Sequence, residues 1–290
     1  MKKTKIIAEI GINYAFGNDK SKFLDNAKKL IDAAYVAGCD YVKFQKRNPD
    51  ICVPEQQKHV KKIVPWRNEP TTYIQYKHDI EFGREEYNEI DRYCKEKGIG
   101  WFASVWDKQS VEFMMEYWQA DGKVMMKIPS ALITDIDLCS YAKDKSHFLI
   151  ISTGMSTEAE VDRCVMACSP DVIMHTNSSY PSKVDELNLK YITWLKTNYM
   201  YLANWKPGYS GHEYGLTTTF AAVVLGAEWI ERHLTIDRTN WGSDQMASVE
   251  PSGMIKLVKG IRDIEKAMGG YGPREVIGSE LEKLKTLRNK

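Results

Sequence analysis

No apolar run in this chain approaches the roughly 18 residues that a membrane-spanning helix requires. The start, Met1-Lys2-Lys3-Thr4-Lys5, is basic, but the apolar stretch after it is soon broken by Glu9 and does not read as a signal peptide. Charge of one sign is missing too, because 40 Lys and Arg stand against 39 Asp and Glu, for a net charge of +1. A chain so balanced carries no field for a nucleic acid or an anionic membrane. Cysteine is sparse, and the six residues at 39, 52, 94, 139, 164 and 168 match neither a zinc ribbon nor a disulfide framework. They are expected to be reduced thiols of a cytoplasmic protein, with Cys39 and Cys139 in the core. No low-complexity tract appears, and no G-x-G-x-x-G follows the first apolar run, which counts against a dinucleotide fold.

What the chain has is alternation. Apolar runs predict strands over 5–10, 41–44, 99–105, 123–128, 148–152, 171–176, 199–205 and 229–234. Helical periodicity predicts helices over 23–37, 84–97, 109–118, 135–144, 157–168, 185–197, 215–225 and 251–268. Gly38 and Gly98 stand where C′ glycines close the first two helices. The segment 46–83 carries Pro49, Pro54, Pro65 and Pro70 and many charges; a connection this long is expected to be functional, such as a lid. Eight strand–helix units in about 265 residues predict a (β/α)8 TIM barrel over 1–270, about the usual length for that fold. An open doubly wound sheet is the other arrangement compatible with the pattern. Residues 271–290 read as a basic tail, led by Gly and Pro, with one short helix.

Barrel chemistry sits at the C-terminal ends of the strands. Those ends carry Glu9 and Asn13; Lys43 and Gln45; Ser104 and Asp107; Lys127 and Ser130; Ser152 and Thr153; His175, Thr176, Asn177, Ser178 and Tyr180; Ser210 and His212; and His233, Asp237 and Asp244. Lys43 and Lys127 lie in or just past apolar strands, where a buried ammonium needs an anion. One partner is a neighbouring carboxylate, such as Glu9 for Lys43. Two lysines ringed by hydroxyls from several strands fit a small phosphorylated anion better, because charge-assisted hydrogen bonds hold such groups. His212 and His233, at adjacent strand ends, read singly as satisfied core or surface histidines. As a pair, with acids at 9, 237 and 244 in reach, they point to a divalent metal, with Mn²⁺, Fe²⁺ and Zn²⁺ all compatible. His175 reads as a packed supporting group, and His59, His78 and His147 as loop or surface residues.

Eight motifs in chain order resemble the sialic acid synthase family. They are Ile7-Ala8-Glu9-Ile10-Gly11-Ile12-Asn13, Val42-Lys43-Phe44-Gln45, Lys127-Ile128-Pro129-Ser130, Ile151-Ser152-Thr153-Gly154-Met155, Ser178-Ser179-Tyr180-Pro181, Gly208-Tyr209-Ser210-Gly211-His212, Ile230-Glu231-Arg232-His233 and Ala247-Ser248-Val249-Glu250-Pro251. The resemblance implies a (β/α)8 catalytic barrel that condenses phosphoenolpyruvate with N-acetylmannosamine or a related aldose, releases phosphate and uses a divalent metal, usually Mn²⁺. By motif match it implies metal ligands at His212 and His233, and phosphoenolpyruvate contacts at Lys43, Lys127, Ser130, Ser152, Ser178, Tyr180 and Ser210. Ser104 stands where a threonine is usual. Glu9 falls on the acid that activates or orients water, and Gln45 near the open-chain sugar. Asn177, Asp237 and Asp244 complete the candidate substrate-binding set.

Four departures accompany the resemblance. Tyr14-Ala15-Phe16-Gly17 replaces His-Asn-Gly after Asn13; Ala131-Leu132 stands where a small residue and a sugar-holding acid are common; and Gly211 replaces an aspartate before His212. The chain, read to residue 290, is expected to lack the C-terminal antifreeze-like (SAF) domain of typical members. The expected activity is therefore a phosphoenolpyruvate-dependent C–C bond-forming synthase in a closed homo-oligomer, dimer or tetramer. A metal-dependent aldolase or isomerase on the same barrel, and a non-catalytic sugar-phosphate binding protein, are the competing readings.

Overall fold

A computed structural model describes residues 3–270 and 272–288. Eight strands, β1 (Lys5–Gly11), β2 (Tyr41–Lys46), β3 (Gly100–Val105), β4 (Met125–Ile128), β5 (Phe148–Ser152), β6 (Val172–Thr176), β7 (Lys206–Gly211) and β8 (Trp229–His233), close into one barrel in the order of the sequence. Every barrel pairing is parallel, and β1 pairs with β8 to complete the ring. The outer layer consists of α1 (Phe23–Ala37), α2 (Arg84–Lys97), α3 (Lys108–Met114), α4 (Ile136–Lys145), α5 (Glu158–Cys168), α6 (Tyr191–Asn198), α7 (Thr217–Val224) and α8 (Pro251–Ala267). The expected barrel is thus observed. A short exposed helix, Glu280–Leu287, lies in the segment read as a tail. Among the described residues, no helix is long and apolar enough to cross a membrane.

Each helix follows from its own pattern. In α1 the apolar Phe23, Ala27, Leu30, Ile31 and Ala34 recur at helical spacing and are all buried. The helix stops at Gly38, whose φ of 83° is the left-handed conformation that a glycine adopts without strain. The expected span of β7 requires correction. Residues 199–205 form turns after α6, and the strand begins at Lys206, seven positions later. Lys206-Pro207-Gly208 reads as punctuation, because proline and glycine are rare inside strands. Here Gly208 is needed for close packing, since a Cβ on it would lie 2.8 Å from Met174 Cγ and 3.1 Å from the Trp229 carbonyl oxygen.

The two-residue alternation of strands divides the barrel interior into two layers. Ile7, Phe102, Met125, Ile150, Val172, Met174 and Trp229 form an apolar plug inside the barrel. Two positions further along their strands, the same inward face turns polar, with Glu9, Ser104, Lys127, Ser152, Thr176 and Glu231; Lys43 follows Tyr41 in the same way. A plug below and polar groups above define a site at the C-terminal mouth. The large apolar core lies outside the ring, between the strands and the helices.

Arg232 points from β8 into that outer layer and is 1% exposed. It donates to Glu213 Oε1 at 3.1 Å, to the Gly215 carbonyl at 3.0 Å and to Thr219 Oγ1 at 2.7 Å. The pair therefore ties the loop after His212 to the strand that carries His233. Arg232→Ala should cost about 3–5 kcal/mol, because it strands the buried Glu213 carboxylate. A denaturant midpoint close to wild type would contradict this role.

Candidate active site at the barrel mouth

A cavity of about 180 Å³ opens at the mouth, lined by Glu9, Lys43, Gln45, Ser104, Lys127, Ser130, Ser152, Ser178, Tyr180, Ser210, Glu231 and both histidines, together with Trp106, Met155 and Thr176. At its floor lies a chain of buried charges. Lys43 Nζ is 2.8 Å from Glu9 Oε2 and 3.6 Å from Glu231 Oε1. Lys127 Nζ donates to both Glu231 oxygens at 2.8 Å. Hydroxyls extend the chain, with Lys43 donating to Ser104 Oγ at 2.8 Å and Ser210 Oγ to Glu231 Oε1 at 3.2 Å. Gln45 Nε2 donates to the other Glu9 oxygen at 3.0 Å. All four charged residues are at most 3% exposed.

Burial and pairing set the protonation states. Burial pushes Glu9 up to about 7, with Glu231 adding to the rise while Lys43 opposes it. Burial also pulls Lys127 down to about 8; Glu231 resists this and Lys43 reinforces it. For Glu231 the burial penalty is outweighed by Lys127 and Lys43, which hold it down near about 2. For Lys43, burial is likewise outweighed by Glu231 and Glu9, and its pKa rises. Two ammonium groups thus face one firmly ionised carboxylate and one that titrates near neutrality.

His212 and His233 stand side by side, with ring centroids 5.2 Å apart, and Tyr180 stacks on His212 at 4.0 Å. His212 Nδ1 lies 2.7 Å from the Asn177 carbonyl, an acceptor only, so this nitrogen carries the proton and Nε2 presents a lone pair. Burial, the largest influence on each ring, holds both near about 3, so both are neutral imidazoles, the form that ligates metals. His233 Nδ1 is buried without a hydrogen-bond partner, and Asp244 Oδ2 lies 3.7 Å away. Ser152 Oγ is similarly unpartnered. Among the described residues no three His, Cys, Asp or Glu side chains form a ready cluster. Two neutral imidazoles side by side, one with an unpartnered buried nitrogen, are a donor pair that would suit a divalent cation.

Three of the candidate residues, Asp237, Asn177 and Asp244, do not line this cavity. Asp237 is exposed, and its carboxylate accepts from the backbone and hydroxyl of Thr239, closing a turn outside the cavity. Asn177 turns its amide to the Glu186 carbonyl and reaches the site only through its own carbonyl on His212. Asp244 lines an adjoining cavity of about 620 Å³. His175 is a buried supporting group whose Nε2 lies 2.5 Å from the Leu187 carbonyl. Asn13 donates to the Leu234 carbonyl and to Ser248, bracing the chain after β8.

The residue that sequence reading overlooked is Glu231. Its signal was present, because His233 faces inward and strand alternation turns Glu231 to the same side. Two departures also find physical reasons. A Cβ at Gly211 would lie 2.6 Å from Glu213 Oε2, so Glu213 fills that space. Tyr14 stacks on Phe82 at 4.1 Å and donates to the Ile80 carbonyl at 2.5 Å, joining the first loop to the end of segment 46–83. That segment forms short helices and a small hairpin, and its Arg47, Ile51, Cys52, Tyr73 and Lys77 line a cavity that shares Gln45, Trp106, Ala131 and Tyr180 with the one at the mouth.

Fold and site together define a (β/α)8-barrel protein whose mouth combines two buried lysines, serine hydroxyls and a neutral histidine pair. Comparison with known proteins agrees: a model described as the NeuB family matches residues 30–272, and the chain belongs to that family. It is 34% identical over 276 residues to N-acetylneuraminate-9-phosphate synthase of Homo sapiens, covering 91% of this chain and 71% of that protein. It is 30% identical over 295 residues to N,N'-diacetyllegionaminic acid synthase of Campylobacter jejuni, covering 99% and 84%. The crystal structure of N-acetylneuraminic acid synthetase from Leptospira borgpetersenii, in complex with citrate, superposes with a TM-score of 0.81 at 30% identity, covering 100% of this chain and 94% of that one. A truncated 3-deoxy-D-arabino-heptulosonate 7-phosphate synthase from Thermotoga maritima shares the fold alone, at 11% identity and a TM-score of 0.63.

Proposed function

We propose that this protein is a phosphoenolpyruvate-dependent synthase that joins phosphoenolpyruvate to an aldose and releases phosphate. The product is a 3-deoxy-2-keto sugar acid of the sialic acid kind. The observation that carries this reading is the juxtaposition at one mouth of Lys43 and Lys127, the unpartnered Ser152 hydroxyl and the paired imidazoles. Family membership supports the condensation, but the relatives are named for both phosphorylated and unphosphorylated products, and N-acetylmannosamine or a related sugar remains the acceptor class.

Lys43 and Lys127, with Ser104, Ser130, Ser152, Ser178 and Ser210, hold the phosphate and carboxylate of phosphoenolpyruvate and fix its C3 toward the histidines. His212 and His233 would hold a divalent cation, Mn²⁺ by family resemblance, which supplies Lewis-acid polarisation of an aldehyde oxygen when bound. C3 bonds to the aldehyde carbon as the carbonyl π pair moves to its oxygen, which leaves positive charge at C2. Water adds to C2 and passes one proton to Glu9, which balances the proton that the new sugar hydroxyl takes up. The bond between C2 and the phosphate oxygen then breaks, phosphate departs with the C2 hydroxyl proton, and C2 becomes the ketone. Both lysines stabilise the anionic groups throughout. The assembly proposed is a closed homo-oligomer, dimer or tetramer, which sedimentation velocity tests directly.

Glu9 must be ionised to take that proton. Its pKa is raised to about 7, so the fraction competent rises as pH passes through that value. Lys127 loses its proton above about 8, and anion binding falls there. The pH profile of kcat/KM should be a narrow bell between these two limbs. Glu9→Gln should lower kcat about 10²-fold and remove the acidic limb. Near wild-type turnover in Glu9→Gln would remove Glu9 from the water step.

Binding should also take up protons. A bound polyanion raises the pKa of Lys127, so at pH 8, where that lysine is about half protonated, phosphoenolpyruvate should draw in roughly half a proton. Calorimetry in buffers of different ionisation enthalpy measures this, and proton release would contradict the assignment.

A further inference from the structure

A further cavity, of about 230 Å³, lies between the loop after β7, the loop after β8 and the first turn of α8. It shares no lining residue with the cavity at the mouth or with the one beside Arg47. Arg232 of β8 and Arg238 of the following loop line it, together with Ser252 and Gly253 of α8. Arg232 is 1% exposed, and its Nε is buried without a hydrogen-bond partner, although both terminal nitrogens of the guanidinium are engaged. One donor of a buried cation is thus unused, which is costly unless an acceptor reaches it.

The helix end beside it is unsatisfied too. α8 runs for 17 residues, and its N-cap, Glu250, makes no side-chain capping bond. Pro251 has no N–H, and among the described residues the Ser252 and Gly253 amides have no acceptor; the first amide to find one is that of Met254, on the Glu250 carbonyl. No acidic side chain lies in this first turn. Free amides at the positive end of a helix dipole attract an oxyanion. Two carboxylates also line the cavity, and neither accepts from those amides. Glu213 is 0% exposed and accepts from Tyr209 at 2.9 Å, from Thr218 at 2.6 Å and from Arg232 at 3.1 Å. Glu250 Oε1 lies 3.9 Å from Arg238 Nε, and a solvated pair at that distance is worth little, so Arg238 can turn to a ligand.

We propose that this cavity is a second anion site, which takes a phosphate group between Arg232, Arg238 and the Ser252 and Gly253 amides. Arg232 and the two amides are held in place by β8 and α8, and Arg238 supplies the second positive charge. Barrels of this fold frequently hold phosphate between the loops after the seventh and eighth strands and a helix N-terminus. The group arrives either as free phosphate, the ion that the proposed reaction releases, or as a phosphate ester. The inference goes beyond the synthase reading and does not depend on it, because the lysines and histidines of the mouth take no part.

Equilibrium dialysis of the full chain against labelled inorganic phosphate counts the saturable sites. Lys127→Met with Glu231→Gln disables the mouth and should keep one of them. Ser252→Asp should weaken that site by at least about 30-fold, because a fixed carboxylate then sits at the helix end. Arg238→Gln, at an exposed position, should weaken it about 10-fold. Ser252→Asp adds an acid to the first turn of a helix, so its melting temperature should not fall, and lost binding cannot then be read as unfolding. Competition by glucose 6-phosphate, with glucose as control, separates the two sources. An ester that binds more tightly than phosphate identifies an ester ligand, and one that binds no more tightly identifies the free ion. The proposal is overturned if no phosphate site survives the loss of the mouth, or if the surviving site is unchanged in Ser252→Asp.

Discussion

Lys127→Met should lower kcat/KM for phosphoenolpyruvate by about 10³-fold, the largest loss expected from any single side chain. Removing one donor aimed at developing negative charge in a dry site costs about 10²–10³-fold, and here a full charge goes with it. The substitution also removes both 2.8 Å contacts to Glu231, which keeps only Lys43 at 3.6 Å and the Ser210 hydroxyl at 3.2 Å. Part of the loss is therefore structural, amounting to about 3–5 kcal/mol for a buried charge whose partner is removed. The two contributions can be separated. Lys127→Met with Glu231→Gln should recover most of the stability, because the stranded charge is gone, and almost none of the activity. If stability and activity recovered together, Lys127 would be a structural counter-ion to Glu231 and nothing more.

Removal of divalent metal, or His212→Ala, should lower turnover by about 10³-fold, since a Lewis acid is worth several kcal/mol and each 1.36 kcal/mol is tenfold. The two treatments should differ in reversibility. Added Mn²⁺ should restore the stripped wild type and leave His212→Ala inactive. Equilibrium dialysis should show one Mn²⁺ per chain in the wild type and markedly weaker retention in either His212→Ala or His233→Ala. Full activity in chelator would overturn the assignment of the imidazole pair, whatever its geometry.

The sequence made the barrel legible because parallel strands buried on both faces leave short apolar runs, and eight such runs alternate with amphipathic helices. It misplaced β7 because Pro207 and Gly208 follow the general rule for strand boundaries, whereas the packing of Met174 against Trp229 requires a glycine inside the strand. Residues on strands were easier to assign than residues on loops. Lys43, Ser104, Lys127, Ser152 and Ser210 face the cavity because pleating fixes their direction. Asp237 and Asn177 lie on loops, where no periodicity dictates orientation, and local turn hydrogen bonds claimed their side chains. Glu231 was hidden among the conspicuous neighbours Arg232 and His233. The buried Arg47 and Lys77 of segment 46–83 were invisible for a different reason: nothing in an irregular, charged segment marks which of its charges turn inward.

The neutral histidine pair and the ion-paired lysines have one physical logic. Glu9 and Glu231 pair with the ammonium groups proposed to hold phosphoenolpyruvate, so the buried lysines are compensated. Substrate anions then compete with two carboxylates.

The most direct test follows carbon and phosphorus together. The protein is mixed with Mn²⁺, an aldose panel and phosphoenolpyruvate labelled in its three carbons, and phosphate and labelled keto acid are both measured. The synthase account predicts phosphate release that requires an aldose and matches, one for one, the label recovered in a 3-deoxy-2-keto sugar acid. Aldose turnover without phosphoenolpyruvate, or saturable binding of these ligands with neither phosphate nor labelled product, would contradict it.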